Sequence, residues 1–322
     1  MDLLNYKAKA PFAPKHMLNY QDYTRDEIYQ LLSLALKLKA EQKAGIPHPL
    51  LRGKSLGMIF TKASTRTRVS FEVGMYQLGG QALFLSGNDI QLHRGESIAD
   101  TAQVLSRFLD GIMIRTFAQS DAEDLARYGT IPIINGLTDD HHPCQVLADL
   151  MTMYEHKHEL EGLKLAFIGD GNNMAHSLLE ICSKVGMDVF IASPEGYQPN
   201  PAIVNACTET AKANGSEVVV TADCQKAIAG ADVVYTDVWA SMGQEAETQK
   251  RIQAFQGYQV NGTLFAQAKP DALFLHCLPA HRGEEVTADV IDGPNSVVFD
   301  EAENRLHAQK AVMAQLMGGV PA

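Results

Sequence analysis

The sequence feature that most constrains the fold is a repeated alternation of short apolar runs with stretches of helical spacing. Residues 56–60, 82–85 and 111–115 are apolar runs, each short enough for one buried strand. Between two of these runs, apolar residues recur three and four positions apart over 98–105, as on one face of a helix. Strands that alternate with helices in this way form parallel βαβ units. The chain is therefore predicted to be an α/β protein with parallel sheets.

The alternation continues to the end of the chain and suggests two lobes of similar plan. A fourth strand is predicted at 131–134, and the pattern restarts after a helix at 147–154. The predicted strands of the second lobe are 164–168, 189–192, 217–221, 233–236, 272–276 and 297–299. A terminal helix at about 302–318 is predicted to pack across both lobes. We predict domains at 1–153 and 154–322, with the terminal helix packing back on the first.

Length and charge narrow the class of protein. A chain of 322 residues is long enough for two domains that each bury a core. Its 38 acidic residues outnumber 27 lysines and arginines, and the net charge of -11 disfavours binding to nucleic acid or anionic lipid. No signal peptide is recognisable, and no apolar run approaches the ~20 residues of a membrane span. We therefore expect a cytoplasmic protein.

The cysteines argue against two structural uses. There are 5 of them, an odd number, and none is in C-x-x-C spacing. This pattern disfavours both a disulfide framework and a structural zinc site.

The stretch FTKASTRTRVSFE at 60–72 places hydroxyl groups and a guanidinium at a predicted strand-to-helix junction. The first N–H groups of a helix lack intrahelical partners, and the helix dipole is positive there. A phosphate-bearing ligand is therefore predicted at 64–67. The alternative is that Ser64 only caps the helix and that Arg66 and Arg68 are solvated surface charges.

Four polar features fall where open parallel sheets bind ligands, beyond the carboxyl ends of strands. They are the 64–67 stretch, Gln91, Arg115 and the 142–145 stretch. Guanidinium and hydroxyl donors suit a phosphate, whereas a histidine and a glutamine suit a carbonyl and an amide attached to it. Carbamoyl phosphate fits this set, and acetyl phosphate or a phosphosugar fits as well.

Five motifs occur in order: STRTR at 64–68, DDHHPCQ at 139–145, DVWASMG at 237–243, HCLPAHRGEE at 276–285 and DEAENR at 300–305. Over essentially the whole chain they resemble the ornithine carbamoyltransferase branch of the aspartate/ornithine carbamoyltransferase superfamily. The resemblance implies transfer of the carbamoyl group of carbamoyl phosphate to the δ-amine of L-ornithine, giving L-citrulline and phosphate, in arginine biosynthesis. The sequence itself leaves the direction open, because both directions use one active site.

The resemblance also implies which residues hold the ligands. The carbamoyl phosphate contacts correspond to Ser64, Thr65, Arg66, Thr67, Gln91, Arg115, His142, Gln145, Cys277, Leu278 and Arg305. The ornithine contacts correspond to Asn173, Asp237, Ser241 and Met242. The predicted catalytic residues are Arg66, Arg115, His142 and Cys277. Gln91 is implied to reach in from a neighbouring subunit, which makes the expected assembly a homotrimer or a multiple of trimers.

The implied reaction is attack of the neutral δ-amine on the carbamoyl carbon through a tetrahedral oxyanion. Arg66, Thr67 and His142 are expected to stabilise the charge on the carbonyl oxygen, while Arg66 and Arg115 hold the leaving phosphate. We expect the phosphate to take the amine proton, so that neither a metal nor an organic cofactor is required. A half-site in each lobe also predicts domain closure that excludes water.

Two second-lobe residues are expected to shift the protonation equilibrium of the δ-amine of ornithine. Partial burial and hydrogen bonding by Cys277 and Asp237 are predicted to favour its neutral form. One position departs from the family pattern: where members of the branch read HPTQ, this chain has Cys144. We expect that change to matter little, provided the side chain points away from the ligand.

Alternative functions remain open at this point. The same chemistry on another amine, putrescine or an N-acylated ornithine, is disfavoured by the SMG sequence at 241–243. A nucleotide-binding dehydrogenase is suggested by GDGNNM at 169–174, but Met174 replaces the third glycine of that fingerprint. A catalytically silent binding subunit is disfavoured by the intact set of phosphate-pocket residues.

Six further histidines are not assigned a chemical role. His276 and Cys277 are adjacent on a predicted strand, so they are expected to face opposite ways and not to form a nucleophilic pair. Five others lie among polar residues and are predicted to be solvated: His16, His48, His93, His281 and His307.

Overall fold

The computed structural model describes residues 2–93, 95–240 and 245–318. The chain divides into two compact units, one formed by Met1–Met151 with Glu303–Ala322 and the other by Thr152–Ala302. Each unit contains a parallel β-sheet with helices, which confirms the predicted α/β class. In the described part of the chain, no helix combines the length and apolar character that crossing a bilayer requires.

The first unit is built on a four-stranded sheet. Its strands are β1 (Ser55–Phe60), β2 (Gln81–Ser86), β3 (Gly111–Arg115) and β4 (Ile133–Leu137). Its helices are α1 (Arg25–Lys43), α2 (Thr65–Gln77), α3 (Ile98–Leu105), α4 (Gln119–Tyr128) and the start of α5 (Pro143–Lys157). The sheet order is β2-β1-β3-β4. The chain therefore continues from β1 to β2 on one side of β1 and then crosses to β3 on the other side of β1. Ligands bind in the crevice at such a switch point.

Local sequence explains these elements well. Thr24 caps α1 by accepting from the Glu27 N–H at 3.2 Å, and its own N–H donates to the Glu27 carboxylate at 2.8 Å. This reciprocal pair is a capping box. Every residue of β3 is buried, and Ile59, Ile112 and Ile114 pack in one core cluster. Burial of each such side chain stabilises the fold by roughly 1.5–3 kcal/mol.

The second unit is built on a five-stranded sheet. Its strands are β5 (Lys164–Ile168), β6 (Asp188–Ala192), β7 (Val218–Thr221), β8 (Val233–Thr236) and β9 (Leu273–Leu275). Its helices are α6 (Asn173–Val185), α7 (Pro201–Ala213), α8 (Cys224–Ile228), α9 (Thr248–Ala254), α10 (Gly262–Phe265) and α11 (Ala288–Ile291). The order β7-β6-β5-β8-β9 puts a second switch point between β5 and β8.

The predicted C-terminal helix is present as α12 (Val298–Met313), followed by a π-helical turn at Ala314–Gly318. Residues 298–302 of α12 belong to the second unit and residues 303–313 to the first. The strand predicted at 297–299 was wrong, because Val298 begins this helix and Phe299 is 75% exposed. Pairing in this region is an isolated bridge between Ser296 and Phe274. The strand predicted at 131–134 lies at Ile133–Leu137 instead.

Two histidines predicted to be solvated are buried. Lys310 of α12 donates to the Gln42 and Gln77 side chains at 3.0 and 2.9 Å, and its ammonium lies 3.2 Å from Nε2 of His48. His48 and His307 are only 8% and 2% exposed. The prediction failed because the polarity of neighbouring residues in the sequence does not indicate how α12 packs in this unit. Burial lowers the pKa of Lys310 to about 8.

The other three histidines differ among themselves. His16 is half-buried, its Nδ1 accepts from the Ile133 N–H at 3.1 Å, and burial lowers its pKa to about 4. The His281 side chain is 53% exposed, as predicted. The His93 side chain lies outside the described residues.

Candidate active site

Residues predicted to bind phosphate lie at the switch point of the first sheet. Ser64 follows β1 and caps α2, because its side chain accepts from the Thr67 N–H at 3.2 Å. No acidic residue occupies the first turn of α2, so its positive end is not neutralised locally. Thr65 is exposed and Arg66 is half-buried in this turn. The sequence therefore forms an anion-binding helix start at the carboxyl edge of the sheet.

Two buried arginines converge on one hydroxyl beside this helix start. Nη1 of Arg115, at the end of β3, donates to Oγ1 of Thr67 at 3.4 Å. Nη2 of Arg305, on α12, donates to the same oxygen at 3.2 Å. Their exposed fractions are 8% and 3%, so two cationic groups have been removed from most of the solvent. Such a concentration of buried positive charge favours an anionic ligand.

His142 is neutral in this setting. It is 5% exposed, and its pKa lies well below the usual value because of burial and the positive charges of Arg305, Arg115 and Arg66. A neutral imidazole has one N–H and can donate a hydrogen bond to a carbonyl oxygen.

Gln145, three residues further on, joins the arginine network. Its side-chain oxygen accepts from Nη1 of Arg305 at 2.6 Å, and its amide nitrogen donates to Asp149 at 2.9 Å. Cys144 is turned elsewhere, because its Sγ donates to the Asn135 carbonyl at 3.4 Å. The substitution of cysteine for threonine in HPTQ is therefore compatible with the site.

A contact missed by sequence reasoning joins the two loops of this half-site. The ammonium of Lys62, which precedes the STRTR motif, bonds to Asp139 at the start of DDHHPCQ. The same ammonium lies 4.2 Å from the centre of the Phe117 ring. A lysine next to a phosphate motif in an acidic chain could have been noticed in the sequence. Its partner, 77 residues away, could not have been identified in that way.

Gln91 lies in a short 3-10 turn, Gln91–His93, and is exposed. Its implied contact with the pocket of a neighbouring subunit stays a prediction.

In the second unit, Asp237 and Cys277 meet beyond β8 and β9. The Cys277 thiol donates to Oδ1 of Asp237 at 3.1 Å, and the Val238 N–H donates to the same oxygen at 2.8 Å. Asp237 is 7% exposed and the thiol is half-buried. A buried carboxylate at a sheet switch point suits an ammonium ligand.

His276 supports the loop that carries Cys277. Its Nδ1 accepts from the Leu278 N–H at 2.9 Å, so the ring proton is on Nε2, which lies 3.2 Å from the Glu285 carboxylate. Leu278 has a φ of 56°, in the left-handed region that a leucine rarely adopts. This strained backbone is held by the loop contacts.

The prediction that His276 and Cys277 face opposite ways was wrong. β9 ends at Leu275, so strand alternation does not apply to the two residues. Ligand atoms of Asp237, His276 and Cys277 lie within 4.8 Å of one another, a set that is able to hold a metal ion. Both nitrogens of His276 already have hydrogen-bonding contacts, so coordination there breaks one of them.

Asn173 begins α6, directly after the loop that follows β5. The preceding residue, Asn172, caps this helix by accepting from the Met174 N–H at 3.0 Å. Ser241 and Met242, the other two residues implied to contact ornithine, lie outside the described residues.

A buried ion pair that sequence reasoning missed connects two loops of this half-site. Nη1 of Arg251 donates to Asp170 at 2.6 Å and to the Trp239 carbonyl at 3.0 Å. Asp170 belongs to GDGNNM and Trp239 to DVWASMG. Arg251 therefore ties the loop before Asn173 to the loop after Asp237. Its place on α9, within an ordinary helical pattern, gave no signal.

Two family models match the chain. The carbamoyl-P binding domain of aspartate/ornithine carbamoyltransferase matches residues 15–155, and the Asp/Orn binding domain matches residues 161–316. The chain therefore belongs to the aspartate/ornithine carbamoyltransferase family.

Individual relatives narrow the family. A protein named ornithine carbamoyltransferase from Symbiobacterium thermophilum is 61% identical over 303 residues, 94% of this chain and 98% of that protein. A protein named ornithine carbamoyltransferase, anabolic, from Pyrococcus furiosus is 57% identical over 308 residues, 96% of this chain and 98% of that protein. The solved structure of ornithine carbamoyltransferase from Pyrococcus furiosus gives a TM-score of 0.94 at 56% identity and covers 97% of this chain and 99% of that one. Within the family, the chain lies in the ornithine carbamoyltransferase branch, as its motifs predicted.

Proposed function

We propose that this protein transfers the carbamoyl group of carbamoyl phosphate to the δ-amine of L-ornithine, in the direction of L-citrulline and arginine biosynthesis. One observation carries the proposal: Arg115 and Arg305 converge on Thr67 at the start of α2, next to a neutral His142. The anabolic relative named above supports the direction.

In this proposal, the phosphate binds at the start of α2. The N–H groups of the first turn and the hydroxyls of Ser64, Thr65 and Thr67 donate to its oxygens, and Arg66 and Arg115 neutralise its charge. Gln91 from a neighbouring copy completes the set. Because the guanidiniums of Arg115 and Arg305 are already fixed by hydrogen bonds, little reorganisation is needed when charge develops on the leaving group.

The carbamoyl group extends from the phosphate toward His142 and Gln145. The neutral imidazole donates to the carbonyl oxygen and stabilises the oxyanion of the tetrahedral intermediate, together with Arg66 and Thr67. The C–N bond forms as the δ-amine attacks, the C–O bond to phosphate breaks, and the departing phosphate takes the amine proton. The residues of this chain supply every donor the step needs, so we propose no metal or organic cofactor.

The amino acid is held by the second unit. The α-carboxylate accepts from Asn173 at the positive end of α6, together with Ser241 and Met242 of the SMG sequence. Asp237 pairs with the amino group of ornithine, and its hydrogen bond with Cys277 sets its direction. Cys277 and Leu278 also contact the carbamoyl group.

The dehydrogenase alternative is disfavoured by the packing of GDGNNM. A Cβ added at Gly171 would lie 2.2 Å from the Pro199 nitrogen, and the Gly171 N–H donates to the Tyr197 carbonyl at 2.8 Å. This glycine therefore makes room for another segment of the same chain. Its N–H is not available to a pyrophosphate.

We further propose a cytoplasmic homotrimer, or a multiple of trimers. On α2, Val69, Val73 and Tyr76 are spaced as one helical face and are 52%, 36% and 81% exposed. Phe84 on the neighbouring strand β2 is 39% exposed. Several exposed apolar side chains on one helical face and its neighbouring strand are typical of an interface, here with a second copy of the chain.

A carbamoylation assay tests the function. The purified protein is given carbamoyl phosphate with ornithine, putrescine, N-acetylornithine or aspartate, and each product is identified by mass spectrometry. We expect citrulline with ornithine and at least hundredfold slower reaction with the other three, because sites built to bond a polar group reject analogues that lack it. Equal or faster reaction with another amine would replace ornithine, and no product with any amine would refute carbamoyl transfer.

A further inference from the structure

The guanidinium of Arg305 is surrounded by acceptors on more than one side. Its Nη1 donates to Gln145 and its Nη2 to Thr67, at 2.6 and 3.2 Å. On the remaining side lies Gln309, one helical turn further along α12 and fully buried. With its amide oxygen turned to Arg305, Gln309 accepts from Nε at 3.1 Å and from Nη2 at 2.8 Å.

This orientation of the Gln309 amide is the one that chemistry requires. In the opposite orientation, the amide N–H groups of Gln309 point at the N–H groups of Arg305. Buried donors without an acceptor destabilise a structure by roughly 1–3 kcal/mol each. With the oxygen toward Arg305, the amide nitrogen donates to Oγ of Ser70. Ser70 in turn donates to the Arg66 carbonyl at 2.7 Å. Gln309 therefore links Arg305 to the first turns of α2.

A neutral acceptor has a particular consequence at this position. An aspartate or glutamate here would form an ion pair with Arg305 and cancel its charge toward the pocket. A glutamine fixes the direction of the guanidinium and leaves its positive charge acting on the phosphate half-site and on His142.

We infer that Gln309 is a positioning residue for carbamoyl phosphate: it holds the Arg305 guanidinium toward Thr67 and Gln145 without neutralising it. The inference rests on the proposed function, since it assigns the anion at this half-site to that substrate. The binding of phosphate itself is tested without turnover.

The experiment compares Gln309→Met, which has similar volume and no acceptor oxygen, with the wild-type protein. Isothermal titration with inorganic phosphate gives a Kd, and steady-state kinetics give kcat and a KM for each substrate. For Gln309→Met we expect phosphate Kd and carbamoyl phosphate KM to rise about tenfold, with ornithine KM within about twofold. Gln315→Met, on the π-helical turn after α12, is the matched control and should leave all three constants unchanged.

Two further variants separate positioning from packing. Gln309→Glu keeps an acceptor for Arg305 and neutralises its field, so it should weaken phosphate binding and shift the acid limb of the kcat profile to higher pH, through His142. Ser70→Ala should weaken phosphate binding about two- to fivefold alone and add nothing to Gln309→Met, because the two act through one chain of contacts.

The outcomes are distinguishable. Unchanged phosphate Kd in Gln309→Met, or an equal rise in the ornithine KM, overturns the inference. If that variant does not fold, an unchanged phosphate Kd and pH profile in Gln309→Glu overturn it instead. If the wild-type protein binds phosphate but makes no citrulline, the proposed function fails, while the titrations still decide the role of Gln309.

Discussion

The Cys277 thiol donates a hydrogen bond to Oδ1 of Asp237 across 3.1 Å, just beyond the ends of β9 and β8. Serine reaches less far than cysteine, so Cys277→Ser should loosen this contact and leave the carboxylate freer to pair with an ammonium. A stronger carboxylate–ammonium pair favours the charged amine, and the apparent pKa that governs ornithine use should therefore rise by about half a unit or more. The pH dependence of kcat/KM for ornithine measures the shift.

The half-buried thiol Cys224 provides the matched control for that experiment. Its Sγ donates to the Gly257 carbonyl at 3.7 Å and not to Asp237. Cys224→Ser should keep the wild-type profile. A profile that is also unchanged in Cys277→Ser would dismiss the role assigned to Cys277.

The ion pair of Arg251 with Asp170 predicts an effect confined to ornithine. Lysine at 251 keeps a positive charge but cannot reach both Asp170 and the Trp239 carbonyl as the planar guanidinium does. Loss of a hydrogen bond between charged groups is worth about 1.5–3 kcal/mol, so Arg251→Lys should raise the ornithine KM about ten- to a hundredfold. The carbamoyl phosphate KM should stay within about twofold, as determined by varying each substrate in turn.

Arg282→Lys is the control for Arg251→Lys, because Arg282 forms an exposed pair with Asp292 at 2.6 Å. An exposed pair of this kind contributes little. Equal changes in both substrate constants for Arg251→Lys would mean that Arg251 acts on the whole fold and not on the two loops.

Structural features that depend on residues close together in the sequence were predicted from the sequence. The cap at Ser64 depends on a residue three positions away, and it was recognisable from the sequence. Strands such as Lys164–Ile168 were found because parallel strands are buried on both faces and show as continuous apolar runs. The 64–67 stretch, Arg115 and the 142–145 stretch then followed from their places at strand ends, whereas Arg305 was implied only by the resemblance to the family.

The missed features depend on contacts between segments far apart in sequence. Nothing near Lys62 or Arg251 names Asp139 or Asp170 as a partner. His307 sits among polar neighbours, yet it is buried because α12 packs within the first unit. Long-range packing of this kind overrides the local composition from which solvation was inferred.

His142 is predicted to act as a neutral hydrogen-bond donor throughout the physiological range. Burial and three arginine charges hold its pKa well below 6.5, so the wild-type kcat profile should show no limb near pH 6.5. Removal of one preorganised donor costs on the order of 10²–10³ in rate, which is the expected fall in kcat for His142→Leu. Stopped assays of citrulline between pH 5.5 and 8 measure both effects. A limb near pH 6.5 that disappears in His142→Gln would show that His142 titrates in this range and would contradict the prediction.

The exposed apolar face of α2 predicts the assembly. Tyr76 is 81% exposed, and Tyr76→Glu would place a charge in the proposed interface between copies. We expect the variant to dissociate into smaller species at micromolar concentration, whereas the wild-type protein has the mass of a trimer or a multiple of it. Light scattering after size-exclusion chromatography gives the masses. Phe299→Glu, at a residue that is 75% exposed on α12, should not change the mass, and a monomeric, fully active wild-type protein would refute the assembly.

The buried His307 predicts a particular dependence of stability on pH. Burial, then the nearby positive charges of Lys310, Lys39, Lys43 and His48, lower its pKa to about 3. Glu303 lies 3.6 Å from its Nε2. Because this pKa is below that of the unfolded chain, the unfolded state takes up a proton as pH falls below about 6.5 and the folded state does not. The native structure therefore loses about 1.4 kcal/mol per pH unit from this one group, between roughly pH 6 and pH 4.

His307→Phe should remove that part of the slope, so the difference in unfolding free energy between variant and wild type should shift in favour of the variant on acidification. Urea titrations at pH 7.5, 6 and 5 measure the slopes, with the value at pH 7.5 giving the packing cost of the substitution alone. A constant difference across the three pH values would mean that His307 is protonated equally in both states.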